Sequence, residues 1–539
     1  ALVAVGREKE AYDLLSMAAW DYKFRSAAYF ELALLDCKNN DFTDALEKLN
    51  TSISYNSGHT KAMNIKALVL QVLGKCDEAK ALLDDIQKYD RLDMFSKYQL
   101  FSFGGSKEEF TEIFGEKCEN YLDVAYDLIN GGFYEKAIEV IDVSEKAYPM
   151  FDYIKAYCFG KLGDSSKEQE LLKSAEAQDT GYCFPSRLDD IAVLNNAICK
   201  NESGDNAYYY LGCLFYDRFA FERATALWEK CIALNPKHPK VFRNLALSYF
   251  DKKGDLLSAK ECMEIALANK SDDPRLILEY QQLLRNMNYS PEHMLDVYDK
   301  YENLMLQRDD CYLDKITLKC MVGEYKEAID MAKHRRFHIY EGGEGKLTKQ
   351  HAWMHVLYGN ELCKKGDLDE AEEIYKDGID MPKSYGEAKT FFNQEAHIYY
   401  YLGKLLESEG KDASKAYSEA AVYKAAVSEL SLFRALALRK LQNFSEAKAV
   451  LDEMESVADN FIENCDMRTY YGVGSPSPMP FELDIVKNNL TDGYVLKAYA
   501  LLGMGKFNEA DEYIEKARKI KQYDFRIYAY DNIKDSIKF

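Results

Sequence analysis

The chain has 539 residues, 47% hydrophobic and 29% charged, with a formal net charge of −21 at pH 7. That length exceeds what one compact core can serve, so it calls for three or four domains or for a repeat that spreads the core along an axis. The acidic excess opposes general attraction to nucleic acid or anionic lipid, and no apolar run approaches the ~18 residues of a membrane span, so basic or neutral protein partners fit better.

Helical patterning already covers the first residues, which reads as a chain continuing upstream of Ala1. Three early stretches then share one pattern: "GREKEA" at Gly6, "NDFTDA" at Asn40 and "GKCDEA" at Gly74. Their alanines, Ala11, Ala45 and Ala79, are thirty-four residues apart. That is the period of tetratricopeptide repeats, in which two antiparallel helices join at a tight turn and a small residue lets them approach. The turn recurs ahead of Ala137, Ala328, Ala371, Ala447 and Ala510. From Asn206 to Pro236 nearly every slot is filled: Tyr208, Leu211, Gly212, Phe215, Phe221, Ala224, Trp228 and the closing Pro236. Pro149, Pro236 and Pro382 act as stops, because proline cannot continue a helix. The expected fold is therefore all-α, a tetratricopeptide-repeat superhelical solenoid of antiparallel helix hairpins.

The register slips at "DKKGDLLSA", a longer turn, and across the forty-five residues from Ala371 to Ala416, an insertion. "FPSRLDDIAVLNNAICK" reads as one connector helix with Ser186 as N-cap, and "YYGVGSPSPMPFE" as an extended loop. The expected organisation is repeats over 1–178, the connector helix within 179–204, and central repeats over 205–470 with a glycine-rich loop at 340–346. A Pro/Gly loop follows over 471–490, then a last hairpin and capping helix over 491–539.

"RRFHIYEGGEGK", Arg335 to Lys346, is the most unusual stretch. A P-loop needs Gly-x-x-x-x-Gly-Lys followed by Ser or Thr, fed by a strand. Here Tyr340 stands in place of the first glycine, Leu347 follows Lys346, two glutamates would repel phosphate, and both flanks are helical in period. The stretch reads instead as a glycine-bent contact loop presenting Arg336, His338, Glu341 and Glu344. Glu341 and Glu344 as a glycosidase pair, or His351 and His355 as the start of a metal site, are weaker readings of the same residues than contact and packing. The thirteen cysteines never fall in Cys-x-x-Cys spacing, which points to reduced thiols and a cytoplasmic protein. Most of the forty-one tyrosines are assigned to helix interfaces. On the repeat template, the groove-facing positions of the first helices select Tyr209, Tyr216, Arg243, Trp353, Asn360, His397, Tyr400 and Lys404 as candidate contacts. No catalytic, cofactor or metal-ligating residue is assigned.

"AAWDYKFRSAAYFELA", "RRFHIYEGGEGK" and "GVGSPSPMPFE" together resemble the C-terminal region of bacterial domain-of-unknown-function 5107 proteins. The resemblance covers most of the chain. It implies a β-rich N-terminal region with sugar-binding-type relatives ahead of the repeats, and a carbohydrate-related context; it supplies no catalytic residue for this chain. The expected function is a scaffold for contacts with a protein segment or with that β-rich domain. The alternative is the cleft-completing part of a carbohydrate-active enzyme whose chemistry lies upstream.

Overall fold

The computed structural model describes residues 2–3, 6–105, 107–269, 272–338, 343, 345–387, 395–423, 426–467, 480–481 and 484–537. Among these residues it holds thirty α-helices and no strand, and it divides into two compact units, Ala1–Val241 and Phe242–Phe539. The N-terminal unit opens with α1 (Glu8–Ala18), followed by the hairpins α2 (Arg25–Lys38) with α3 (Phe42–Tyr55) and α4 (Thr60–Val72) with α5 (Cys76–Tyr89). Next come α6 (Met94–Ser102) with α7 (Lys107–Phe114), α8 (Cys118–Asn130) with α9 (Tyr134–Asp142), and α10 (Pro149–Lys161) with α11 (Ser165–Ala177). A single helix α12 (Leu188–Lys200) precedes α13 (Asn206–Asp217) with α14 (Phe221–Leu234).

The division between units falls in the first turn of α15 (Pro239–Ser248). The C-terminal unit continues through α16 (Leu256–Ala268), α17 (Arg275–Asn286), α18 (Pro291–Lys300) and the short α19 (Glu302–Met305). Its later hairpins are α20 (Asp309–Met321) with α21 (Tyr325–His334), α22 (Lys346–Lys365) with α23 (Leu368–Ile379), and α24 (Ala396–Ser408) with α25 (Ser414–Ala421). Then follow α26 (Ser431–Lys440) with α27 (Phe444–Glu463), α28 (Ile485–Met504) with α29 (Phe507–Ile520), and the final α30 (Phe525–Ile537). No helix among the described residues is long and apolar enough to cross a membrane.

The hairpins arise from the turn read in the sequence. The residue five before the alanine takes the left-handed conformation that ends the first helix, as at Gly74 (φ +76°), while Asn40 (φ +61°) and Gln442 (φ +62°) do so without being glycine. The chain then re-enters a helix whose alanine lies against its partner: Ala45, Ala79, Ala137, Ala224, Ala328, Ala371, Ala447 and Ala510 are all fully buried. The stretch "DKKGDLLSA" closes its longer turn through one π-helical turn, Tyr249–Lys253, before Gly254. One hairpin hides from the alanine pattern. In α10–α11 the small-residue slot holds the buried Glu168, which accepts a hydrogen bond from Asn196 Nδ2 at 3.1 Å, and the facing Gly160 is so close that a Cβ there would sit 2.5 Å from the Glu168 carboxylate.

In α13–α14 a Cβ on Gly212 would lie 2.4 Å from Trp228 Nε1, and Ala224 is fully buried in the same hairpin. Ala224→Leu should therefore overpack this hairpin and cost roughly 1–3 kcal/mol, read as a lower thermal midpoint. An unchanged midpoint would show that the two helices do not meet there.

In the C-terminal unit the last helix plays two parts. Its Ile527, Tyr530 and Ile533 are buried on one side, with the Tyr530 ring 5.7 Å from that of Tyr499 on α28. On the other side Tyr528 shares a 2.6 Å hydroxyl hydrogen bond with Tyr325, Ser536 Oγ lies 2.8 Å from the Tyr401 hydroxyl, and the Ser536 carbonyl accepts from Lys404 Nζ. Helix α30 thus lies against α24 and the start of α21, and it meets α22 where the Phe525 ring is 6.2 Å from that of Trp353.

Candidate functional site

The N-terminal unit carries an open groove of about 560 Å³, built on the first helices of its hairpins. Helix α2 contributes Phe30, Glu31 and Lys38, α8 contributes Tyr126 and Asp127, α10 contributes Tyr157 and Lys161, and α12 closes one side with Leu188 and Asp189. The groove exists because α12 stands alone, without a second helix of its own, beside α10. Arg187 fixes α12 through ion pairs of 2.6 Å to both Glu119 and Asp123, and Asp190 accepts from the Tyr126 hydroxyl and from the amides of Ser186 and Arg187.

Charges in the groove differ in how they are satisfied. Lys61 pairs with Asp127 at 2.6 Å, and Asp189 accepts from Asn130 Nδ2 at 3.2 Å. The Lys161 ammonium sits 5.1 Å from the centre of the Tyr157 ring. Enclosure by the walls pushes the Asp127 carboxyl up and the Lys38 ammonium down. Such a surface, with aromatic walls and separated charges of both signs, suits a polypeptide better than an apolar small molecule.

The residues expected from the repeat template lie elsewhere. Tyr209 packs its ring 4.9 Å from His238 while its carbonyl accepts from Trp228 Nε1 at 3.2 Å, and Tyr216 lies 4.9 Å from Phe221 and 5.3 Å from Trp228. Arg243 makes a two-pronged contact with the fully buried Glu279, at 2.8 and 2.7 Å. Trp353, His397 and Tyr400 are buried: the Trp353 ring lies 4.4 Å from His397, and Tyr400 lies 5.9 Å from Phe433. Asn360 Oδ1 accepts from the Tyr375 hydroxyl at 2.7 Å, and Lys404 is engaged by α30. In the contact loop, Arg336 is exposed, and His338 is exposed with its amide donating to Asp309 Oδ2 at 2.8 Å. Glu341 and Glu344 lie outside the described residues, as does the stretch 471–479; α28 begins at Ile485.

His351 and His355 are buried and fully engaged. His351 Nε2 donates to the Asp380 carbonyl at 3.2 Å while Nδ1 faces the Tyr385 hydroxyl at 2.8 Å. His355 Nδ1 meets the His351 carbonyl at 2.7 Å and Nε2 meets Asp377 at 3.2 Å. With all four nitrogens occupied, the pair works as a packing element between α22 and α23. A second grouping, Asp205, Cys231 and His238, brings three potential ligand atoms within 4.8 Å of one another. Each has a local task or a poor protonation state: Asp205 accepts from Asn235 Nδ2 at 2.7 Å, His238 Nδ1 accepts from the Val241 amide at 3.4 Å, and burial pushes the Cys231 thiol up.

No family model matches the chain. Among solved structures it is similar to the tetratricopeptide domain of P58(IPK), at 12% identity over 95% of this chain and 99% of that one, with a TM-score of 0.22. Yeast Tom70 aligns at 13% identity over 90% of this chain and 92% of that one, with a TM-score of 0.26. YrrB, described as a tetratricopeptide protein with an unusual peptide-binding site, aligns at 14% identity over 43% of this chain and 96% of that one, with a TM-score of 0.18. The fold is an all-α, tetratricopeptide-type solenoid. It is carried by this chain's own hairpins, since likenesses so distant add no argument to it.

Proposed function

We propose that the chain is a repeat scaffold that holds a polypeptide segment, from a partner or from a neighbouring domain, in the groove of its N-terminal unit. The observation that carries this reading is the contrast between two inner faces. That of the N-terminal unit is an open groove of about 560 Å³, whereas in the C-terminal unit the chain's own α30 lies against α24 and meets Trp353 of α22. The resemblance to the domain-of-unknown-function 5107 family makes a bacterial β-rich domain one such partner, and thirteen unbridged cysteines agree with a cytoplasmic setting. The carbohydrate-enzyme alternative rests on the resemblance alone.

The test uses peptides selected from a random displayed library on the immobilised full chain. Tyr134 and Tyr157 line the groove and are only half-buried, so Tyr134→Ala with Tyr157→Ala should leave the thermal midpoint nearly unchanged. The selected peptides should bind this double variant at least about tenfold more weakly, a loss of about 1.4 kcal/mol. Peptides that bind both proteins equally would place recognition outside the groove and end this reading.

A further inference from the structure

Glu31 and Lys38 lie seven residues apart on α2, two turns, so they leave one face of the helix about 10 Å apart along its axis. Both line the groove, Glu31 open to solvent and Lys38 half-buried. Among the described residues neither makes a hydrogen bond or an ion pair, although Lys61, Asp127 and Asp189 beside them all do. Glu8 of α1 and Asp189 of α12 face the same space, and Lys161 of α10 adds its positive charge near Lys38. The groove therefore presents the Glu31 carboxylate, without a hydrogen bond or ion pair, at one point on α2 and, two turns further along, the equally unpaired Lys38 ammonium beside Lys161, which sits against the Tyr157 ring. Phe30, Tyr134 and Tyr157 supply apolar walls.

A segment that filled this groove with apolar side chains would strip water from two charges and give them nothing in return. A segment with the opposite order of charges would set like against like. Building on the reading above, we propose that the groove selects a segment carrying one basic and one acidic side chain about 10 Å apart, the base against Glu31 and the acid against Lys38 and Lys161. In an extended segment that spacing is about three residues, at roughly 3.3 Å each, and in a helical one it is about seven. The polarity of the charge pair sets the direction in which the segment lies.

The experiment is the same library selection on the full chain, run in parallel on the charge-exchanged variant Glu31→Lys with Lys38→Glu. Peptides enriched by the original chain should carry a Lys or Arg and an Asp or Glu at one of the two spacings. The exchanged variant should enrich the reverse order and bind the original peptides at least about tenfold more weakly. If the exchanged chain does not fold, the single variants Glu31→Gln and Lys38→Gln replace it, each expected to weaken the best peptide several-fold without moving the thermal midpoint. Enrichment of the same sequences by both proteins, or of sequences lacking the charge pair, overturns the proposal. Peptides that lack the pair yet lose binding to the Tyr134/Tyr157 variant leave the groove reading standing and sink only the charge rule. A selection that yields no binder sinks both.

Discussion

Arg243→Ala is expected to destabilise the C-terminal unit by about 2–4 kcal/mol, a large fraction of the stability of a typical domain. Glu279 is fully buried in α17, and the Arg243 guanidinium holds both of its oxygens, at 2.8 and 2.7 Å. Removing one partner of a buried pair leaves a desolvated charge without an answer, which costs more than the pair itself contributed. The loss stays below the upper end of that class because Arg275, half-exposed one turn before Glu279, still donates from Nε to Oε1 at 2.7 Å. Lysine should rescue poorly, since an ammonium cannot reproduce the flat, two-pronged geometry. Arg243→Met with Glu279→Met should recover most of the loss, because a well-packed apolar pair removes the buried charge altogether. The readout is hydrogen exchange of peptides from α15 to α18 in rising urea, which follows this unit separately from the other. An Arg243→Ala chain that keeps the original protection would show that Glu279 has another source of compensation.

Arg243 also shows where sequence reasoning runs out. The turn and the small residue five positions on are local, so the hairpin series could be read from Gly74 and Ala79 or from Gln442 and Ala447 alone. The hairpin of Pro149–Ala177 fell within the repeats expected over 1–178 but without the alanine signature, because its slot holds Glu168, whose carboxylate accepts a half-buried hydrogen bond from Asn196 on α12. The template named Trp353, His397 and Tyr400 as groove positions. Whether such a position faces solvent depends on curvature, and here a helix more than a hundred residues downstream lies against α24 and meets α22. Trp353 meets the Phe525 ring at 6.2 Å, a contact no local pattern encodes. The open groove was missed for the complementary reason. Its one usable signal was Glu31 and Lys38 bracketing the apolar run Leu32–Leu35 at a two-turn spacing, but its depth comes from α12, which belongs to no repeat.

The same burial predicts that the C-terminal unit weakens in mild acid. His351 and His397 are both fully buried, and burial holds the His351 imidazole down to about 3 and that of His397 well below its ordinary range. His351 must be neutral to keep its present bonds, donating to a carbonyl from Nε2 and facing the Tyr385 hydroxyl through Nδ1. His397 has both ring nitrogens without a hydrogen-bond partner among the described residues and is packed between Trp353 at 4.4 Å and Phe433 at 5.7 Å. In the unfolded chain each takes a proton near its ordinary value of 6.5. Below that value the unfolded state binds more protons than the folded one, so stability falls as pH falls toward the folded-state pKa. Between about pH 7 and pH 4.5 the buried His351 should cost about 2–3 kcal/mol, and His397 adds to the loss in the same direction. Asp377, held low chiefly by its hydrogen bond from His355, and Asp524, held at about 2 by Arg526 against the effect of burial, lose their contributions only below this window. Asp251, raised by burial, works in the opposite direction. His351→Gln with His397→Phe keeps a donor and an acceptor at the first site and fills the aromatic sandwich at the second. Removing two orphaned buried nitrogens should also add about 1 kcal/mol at neutral pH. Hydrogen exchange of α22 and α24 peptides, corrected for intrinsic rates, should show protection collapsing across this window in the original chain and holding in the variant; equal slopes in the two would mean that neither histidine is kept neutral by the fold.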